Sequence, residues 1–270
     1  MSIEPDDTMF VALHGELVPH PWRDPLVASS DAYSLFLSRS SAMGWLTEAT
    51  SDASGGLWGM NDAGQGPGVG SEPSHIAWFQ VSLTAPVPGD RPLPVQAFLS
   101  CAGDVTTRLG TLSLRAVQVL LPVRGPDPSA ETPPGTSSRL GGVIPLLQDA
   151  GWFADGDPRR RTAVRMTLDG GRDPSVRSAA PGMLGWMRGF EQDVLRCDSF
   201  SLTDDHPVPA SPVIDELWHG PARHRATFHG DLAEWSTDAL GWLAAFLAEA
   251  ASLHGVATPL MLTIDRPEEG

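Results

Sequence analysis

A histidine followed two residues later by a carboxylate occurs at His229 with Asp231, and again at His14 with Glu16. Side chains alternate along a strand, so each pair shares one face if its segment is extended. A carboxylate in that position orients the imidazole and raises its basicity, which suits general acid–base catalysis. Arg225 and Thr227 fall on the same face as His229 and could hold an anionic or carbonyl group. The same pattern also describes the solvated face of an edge strand. Both readings stay open at this point.

Other chemistries have weaker signatures. His219, His224 and His229 recur every five residues, a spacing that neither strand nor helix places on one side, so no metal site is expected. Cys101 and Cys197 lie far apart in apolar or strand-end contexts and read as buried thiols. No Gly-x-Ser-x-Gly elbow is present. The run Gly64 to Gly70 superficially resembles a nucleotide-binding loop. Pro67 interrupts it, and no strand–helix context surrounds it. No cofactor is expected. Among the nine tryptophans, Trp58, Trp186 and Trp242 are candidate walls of a ligand cleft, although each also suits ordinary core packing.

The elements that must position these groups are clearest at Arg223–Arg266. Arg225 to Gly230 alternates as a half-buried strand. Ser236 can cap a helix, with Asp238 favourably near its positive end. The run Ala239 to Leu253 has Glu249 as its only charge, so this helix should be buried on more than one side. Gly255 stops it, and Leu260 to Ile264 reads as a second strand. An earlier segment follows the same plan roughly 60 residues upstream. Arg165 to Gly170 parallels Arg225 to Gly230, Leu184 to Phe190 parallels Leu240 to Phe246, and Leu202-Thr203 parallels Leu262-Thr263. Two strand–helix–strand units in succession give βαββαβ, the ferredoxin-like order.

The N-terminal half is expected to hold a strand at Phe10 to Val18 and a helix from Ala32 to about Glu48, capped by Ser30 or Asp31. A long loop from Ser51 to Ser74 follows, in which Leu57, Trp58 and Met60 could form a lid. A meander of His75 to Leu83, Val95 to Cys101 and Leu112 to Leu121 completes it. The match of Leu13–Leu17 to Phe228–Leu232 hints at a further, more distant copy of the repeat. Prolines make Arg124 to Ser138 a linker or exposed loop. The organisation is therefore an N-terminal α+β region (1–123), a linker (124–138) and a duplicated βαβ region (139–270). The class is α+β, with antiparallel sheets covered by helices on one face and ferredoxin-like repeats in the C-terminal half.

Composition narrows the function. The chain has no lysine, which removes Schiff-base and P-loop lysine chemistry and suggests a G+C-rich genome of actinobacterial type. A net charge of −15 argues against nucleic acid as a partner. Neither a membrane span nor a signal sequence is evident, so a cytoplasmic location is expected. The first expectation is a non-catalytic, acidic binding protein that engages a protein partner or a small apolar ligand. The alternative is a metal-free acid–base enzyme (cyclase, isomerase or hydrolase) that uses His229, Asp231, Arg225, His14 and Glu16.

Overall fold

The computed structural model describes residues 8–23, 31–47, 58–65, 75–83, 92–123, 142–203, 207–210, 212–213, 217–221 and 223–267. The helix predicted to be apolar all round spans Thr237–Leu253 (α5). Ser236 Oγ accepts the Ala239 N–H at 3.2 Å, and Asp238 lies in the first turn. Every residue from Ala239 to Ala248 is buried. Such a helix cannot sit at a surface, because its polar stripe is missing. It lies between the sheet and three other helices, and the indole of Trp242 donates to Leu146 O at 2.6 Å. Close approach to a neighbour at Val95–Leu109 (α2) depends on Gly241, where a Cβ would lie 2.5 Å from Gln96 Cα.

The strands are Thr8–Pro19 (β1), Leu46–Thr47 (β2), Trp58–Gln65 (β3), His75–Leu83 (β4), Gly110–Leu121 (β5), Thr162–Asp169 (β6), Leu195–Ser201 (β7), Arg225–Leu232 (β8) and Leu260–Asp265 (β9). The remaining helices are Ala32–Ala42 (α1), Val143–Ala154 (α3) and Ser175–Arg188 (α4). All nine strands among the described residues join one sheet in the order β2-β3-β4-β1-β5-β9-β6-β8-β7. Every neighbouring pair is antiparallel except the two-residue bridge of β2 with β3. The fold is thus mixed α+β. No helix among the described residues is long and apolar enough to cross a membrane.

The C-terminal half runs β6-α4-β7-β8-α5-β9. The N-terminal half, leaving out the short β2, runs β1-α1-β3-β4-α2-β5 in the same order of strands and helices. Each half also has the same spatial order, with its first and third strands central. The halves meet where β5 pairs with β9, from Ala116↔Asp265 to Leu121↔Leu260. Residues 124–141, which contain the proline-rich linker segment, lie outside the described residues.

Three expectations change. Val95 begins a helix rather than a strand. Val95, Ala97, Leu99 and Cys101 alternate over seven residues, but Val95, Phe98, Leu99, Ala102, Val105 and Leu109 recur at helical spacing over fifteen, and the longer period governs. The three-strand meander therefore does not form. The segment Ser51 to Ser74 is also not wholly loop. Trp58 and Met60 are buried on the helix side of β3. Gly64 stands beneath Trp78, where a Cβ would come within 2.6 Å of the indole nitrogen. Pairing with β4 makes this polar, glycine-containing stretch a strand. Leu57 lies outside the described residues. Finally, α1 stops at Ala42, capped at its start by Asp31 Oδ1 accepting Ser34 N–H at 2.8 Å.

The two His-Gly dipeptides sit at equivalent irregularities. Opposite His14-Gly15, β5 carries the extra residue Arg115. Opposite His229-Gly230, β7 carries the extra residue Asp198. A Cβ on Gly15 would lie 2.1 Å from Ser113 O, and one on Gly230 would lie 2.1 Å from Arg196 O. Each glycine admits the carbonyl of a bulged neighbour. The bulge also helps to blunt the β7 edge. Arg188 donates to the carbonyls of Cys197, at 3.0 Å, and of Asp198, which are otherwise open to strand addition.

Gly230→Ala is therefore expected to destabilise the chain by about 3 kcal/mol in urea denaturation, because the backbone must move. Gly185→Ala, in α4 with nothing within 4 Å of the added Cβ, should stabilise by up to about 1 kcal/mol.

Candidate functional site

Strand alternation sends one set of side chains into the helix-covered core and the other to the second face. On that face the register aligns rows of side chains across the sheet. One row reads Thr227, Thr167, Thr263, Gln118 and Ala12. The next reads Arg225, Asp169, Met261, Leu120 and Phe10, and the next on the other side reads His229, Arg165, Asp265, Ala116 and His14. Most of these positions are buried, including Gln118, Thr167, Asp169, Thr227, Thr263 and Asp265.

Buried polar groups must be paired, and here the pairs cross between strands. Arg225 Nε donates to Asp169 Oδ2 at 2.6 Å. Arg165 Nη2 donates to Asp265 Oδ2 at 3.0 Å. The hydroxyls of Thr167 and Thr227 lie 3.1 Å apart. Gln118 Nε2 donates to Pro209 O at 2.8 Å. Its Oε1 therefore accepts from His14 Nε2 at 3.1 Å, which places the His14 proton on Nε2.

The chain between β7 and β8 crosses this face. Val213 and Trp218 form a small apolar cluster with Phe10, Ala12, Leu120 and Met261. The turn after β6 grips the same segment, with Arg172 N–H donating to His219 O at 2.9 Å and His224 N–H donating to Gly171 O at 3.1 Å. Between segment and sheet lies a cleft of about 220 Å³. Gln118, Thr167, Asp169, Thr263, Arg223 and Arg225 supply its polar lining; Trp218 and Met261 are among its apolar walls.

The crossing segment carries unusual backbone and an unpartnered polar group at and beside the cleft. Arg223, with φ 61, and His219, with φ 60, hold left-handed backbone that non-glycine residues rarely adopt. The Arg223 guanidinium has no hydrogen-bond or ionic partner among the described residues, in contrast to Arg225. The indole N–H of Trp218 is buried without an acceptor among the described residues, a state that costs roughly 1–3 kcal/mol.

The residues expected to be functional divide into separate groups. Arg225 lines the cleft. His229 and Asp231 lie farther along β8, outside its lining. His14 reaches the cleft only through Gln118, and Glu16 is exposed at the far end of β1. His14 and His229 share a face and a row, but four strand spacings of about 4.8 Å separate them, roughly 19 Å in all. They cannot act on one bond together. Trp58 is buried on the helix side, Trp242 is buried inside the helix layer, and Trp186 packs on Phe190 and Phe246, so none of the three lines the cleft. The sequence did not single out Gln118, Thr263, Arg223 or Trp218. The visible signal was one polar residue inside each of the apolar runs Val117–Val119 and Leu262–Ile264.

Both cysteines are buried thiols, and burial pushes Cys197 up to about 11, far from a reactive thiolate. Among the described residues no group of His, Cys, Asp or Glu could hold a metal ion. Comparison with known proteins found no matching family model, no similar curated protein and no similar solved structure.

Asp169→Asn should destabilise the chain by about 3 kcal/mol, because it strands the largely buried Arg225 guanidinium without its counter-charge. Adding Arg225→Met should recover most of that loss in the same denaturation experiment. Acid should act through His75, whose ring lies 5.5 Å from that of His14 and whose pKa is lowered by burial despite a backbone contact at Ala77 that raises it. The unfolded chain takes up this proton near the ordinary value of 6.5, and the folded chain only at lower pH. This contribution is thus intact above 6.5 and is lost as pH falls below it. His75→Gln should flatten the decline in stability between about pH 7 and pH 5, as read from denaturation midpoints.

Proposed function

We propose that this protein is a non-catalytic binding protein and that the cleft on the second face of its sheet is the binding site. The observation that carries this reading is a cleft with an arginine at its mouth that has no protein partner among the described residues. Among the described residues, Arg223 lines this space without a partner, whereas Arg225, Asp169, Thr167 and Gln118 each have one. A fold selected for stability alone would fill or neutralise such a space. The volume, about 220 Å³, falls below the roughly 300–1,000 Å³ of sites for drug-sized ligands. It suits a small molecule or the end of one side chain from a protein partner. The polar lining favours a polar group over the apolar ligand suggested by the tryptophans.

The acid–base enzyme is the second choice. Of its five residues only His229 and His14 share a row, roughly 19 Å apart by strand spacing, and only Arg225 lines the cleft. Binding needs no such convergence.

The test is an NMR titration of the full chain with neutral, cationic and anionic fragments, followed through backbone amides. At least one class should shift amides at Thr167, Thr263 and Arg223. The reading fails if every class leaves these unmoved, or if the shifts fall on the helix layer. Thr167→Val with Thr227→Val should leave stability within about 1 kcal/mol, because the hydroxyls are removed as a pair, yet weaken the fragments that bind.

A further inference from the structure

We infer that the cleft takes a monoanionic carboxylate, held by Arg223 at its mouth. This rests on the reading of the cleft as a binding site and names its ligand class. The first ground is hydrogen-bond capacity. The groups left over among the described lining residues, the N–H groups of the Arg223 guanidinium, are all donors. A ligand that satisfies them must present acceptors. The threonine hydroxyls of Thr167 and Thr263 can donate or accept and do not oppose this. A cationic ligand would set its charge beside Arg223 and add further unmet donors.

The second ground is charge. The described lining contains two guanidinium groups, Arg223 and Arg225, and one carboxylate, Asp169. Asp169 is already joined to Arg225 at 2.6 Å, so Arg223 carries the one uncompensated charge. One carboxylate brings the site to neutrality. A dianion such as phosphate would leave an excess negative charge next to the buried Asp169. Guanidinium also offers a planar pair of N–H groups that match the two oxygens of a carboxylate.

The third ground is position. Arg223 lies where the chain passes from the crossing segment into β8; it lines the cleft and holds left-handed backbone, φ 61. It is exposed, so its removal does not empty the core. Arg225, the neighbour on the same face, is occupied as a structural partner of Asp169.

The carboxylate could belong to a free small acid or to an aspartate or glutamate of a partner protein. Calorimetric titration of the full chain separates these sources. The probes are sodium benzoate, benzamide, benzylamine, inorganic phosphate, and a short peptide with one glutamate and both ends blocked. Benzoate or the peptide should bind at least tenfold more tightly than benzamide, benzylamine or phosphate. The better of the two identifies the source. Arg223→Gln should weaken that binding at least tenfold, and Arg223→Lys, which keeps the charge but loses the planar pair of N–H groups, should weaken it by a smaller factor. The proposal is overturned if Arg223→Gln binds as well as the parent, or if phosphate or benzylamine binds best. If a neutral fragment enters the cleft and no carboxylate does, this inference falls while the binding reading stands. If nothing enters, both fall.

Discussion

The antiparallel pairing of β5 with β9 is the contact on which the arrangement rests. Each half could close its own four-strand sheet, and each would then leave its last strand as an open edge. Joining those edges removes both and makes the rows of side chains continuous from one half to the other. Gln118 comes to lie opposite Thr263 through this seam. The cleft draws its floor from both strands, so neither half possesses it alone. The seam also explains the burial of α5. That helix leads into β9 and packs against α2 of the other half, so its apolar surface is enclosed from both sides.

The second face then presents a problem of polarity. The two halves have matched topology but different side chains at the centre of this face. In the N-terminal half, Trp78 lies over Gly64 and stacks on Phe10 at 5.7 Å between ring centres. Large aromatic groups fill the space. In the C-terminal half the neighbouring positions hold Thr167, Thr227, Asp169 and Arg225, and space remains. Buried charge is tolerated there because each carboxylate has its arginine directly across the ladder. Arg223 departs from that rule. Among the described residues, a pairing scheme that accounts for Arg165 and Arg225 leaves the exposed Arg223 over.

Much of the C-terminal half could be read from residues alone, because cap, period and stop agreed over α5 and its flanking strands. The N-terminal half was harder for identifiable reasons. The first seven residues of α2 satisfy strand alternation, and only the full fifteen expose the helical period. Strand β3 is polar and contains glycines, so its identity comes from β4 and from Trp78, which no local pattern reveals. The site was hidden for a similar reason. Gln118, Thr263 and Thr167 look like isolated interruptions of apolar strands until the register brings them together. The His-Gly dipeptides drew attention because they recur, and the recurrence reflects bulges that require glycine. The histidine 19 Å away (roughly, from the strand spacing) is a consequence of that shared device.

The central claim is that Arg223, which has no partner among the described residues, is there to meet a ligand. A crystal structure of the full chain grown with sodium benzoate tests it most directly. The expected result is a carboxylate in the cleft with both oxygens within hydrogen-bond distance of the Arg223 guanidinium, while Arg225 stays on Asp169. An empty cleft at saturating benzoate, or an Arg223 turned to a protein carboxylate with the ligand bound elsewhere, would contradict the account.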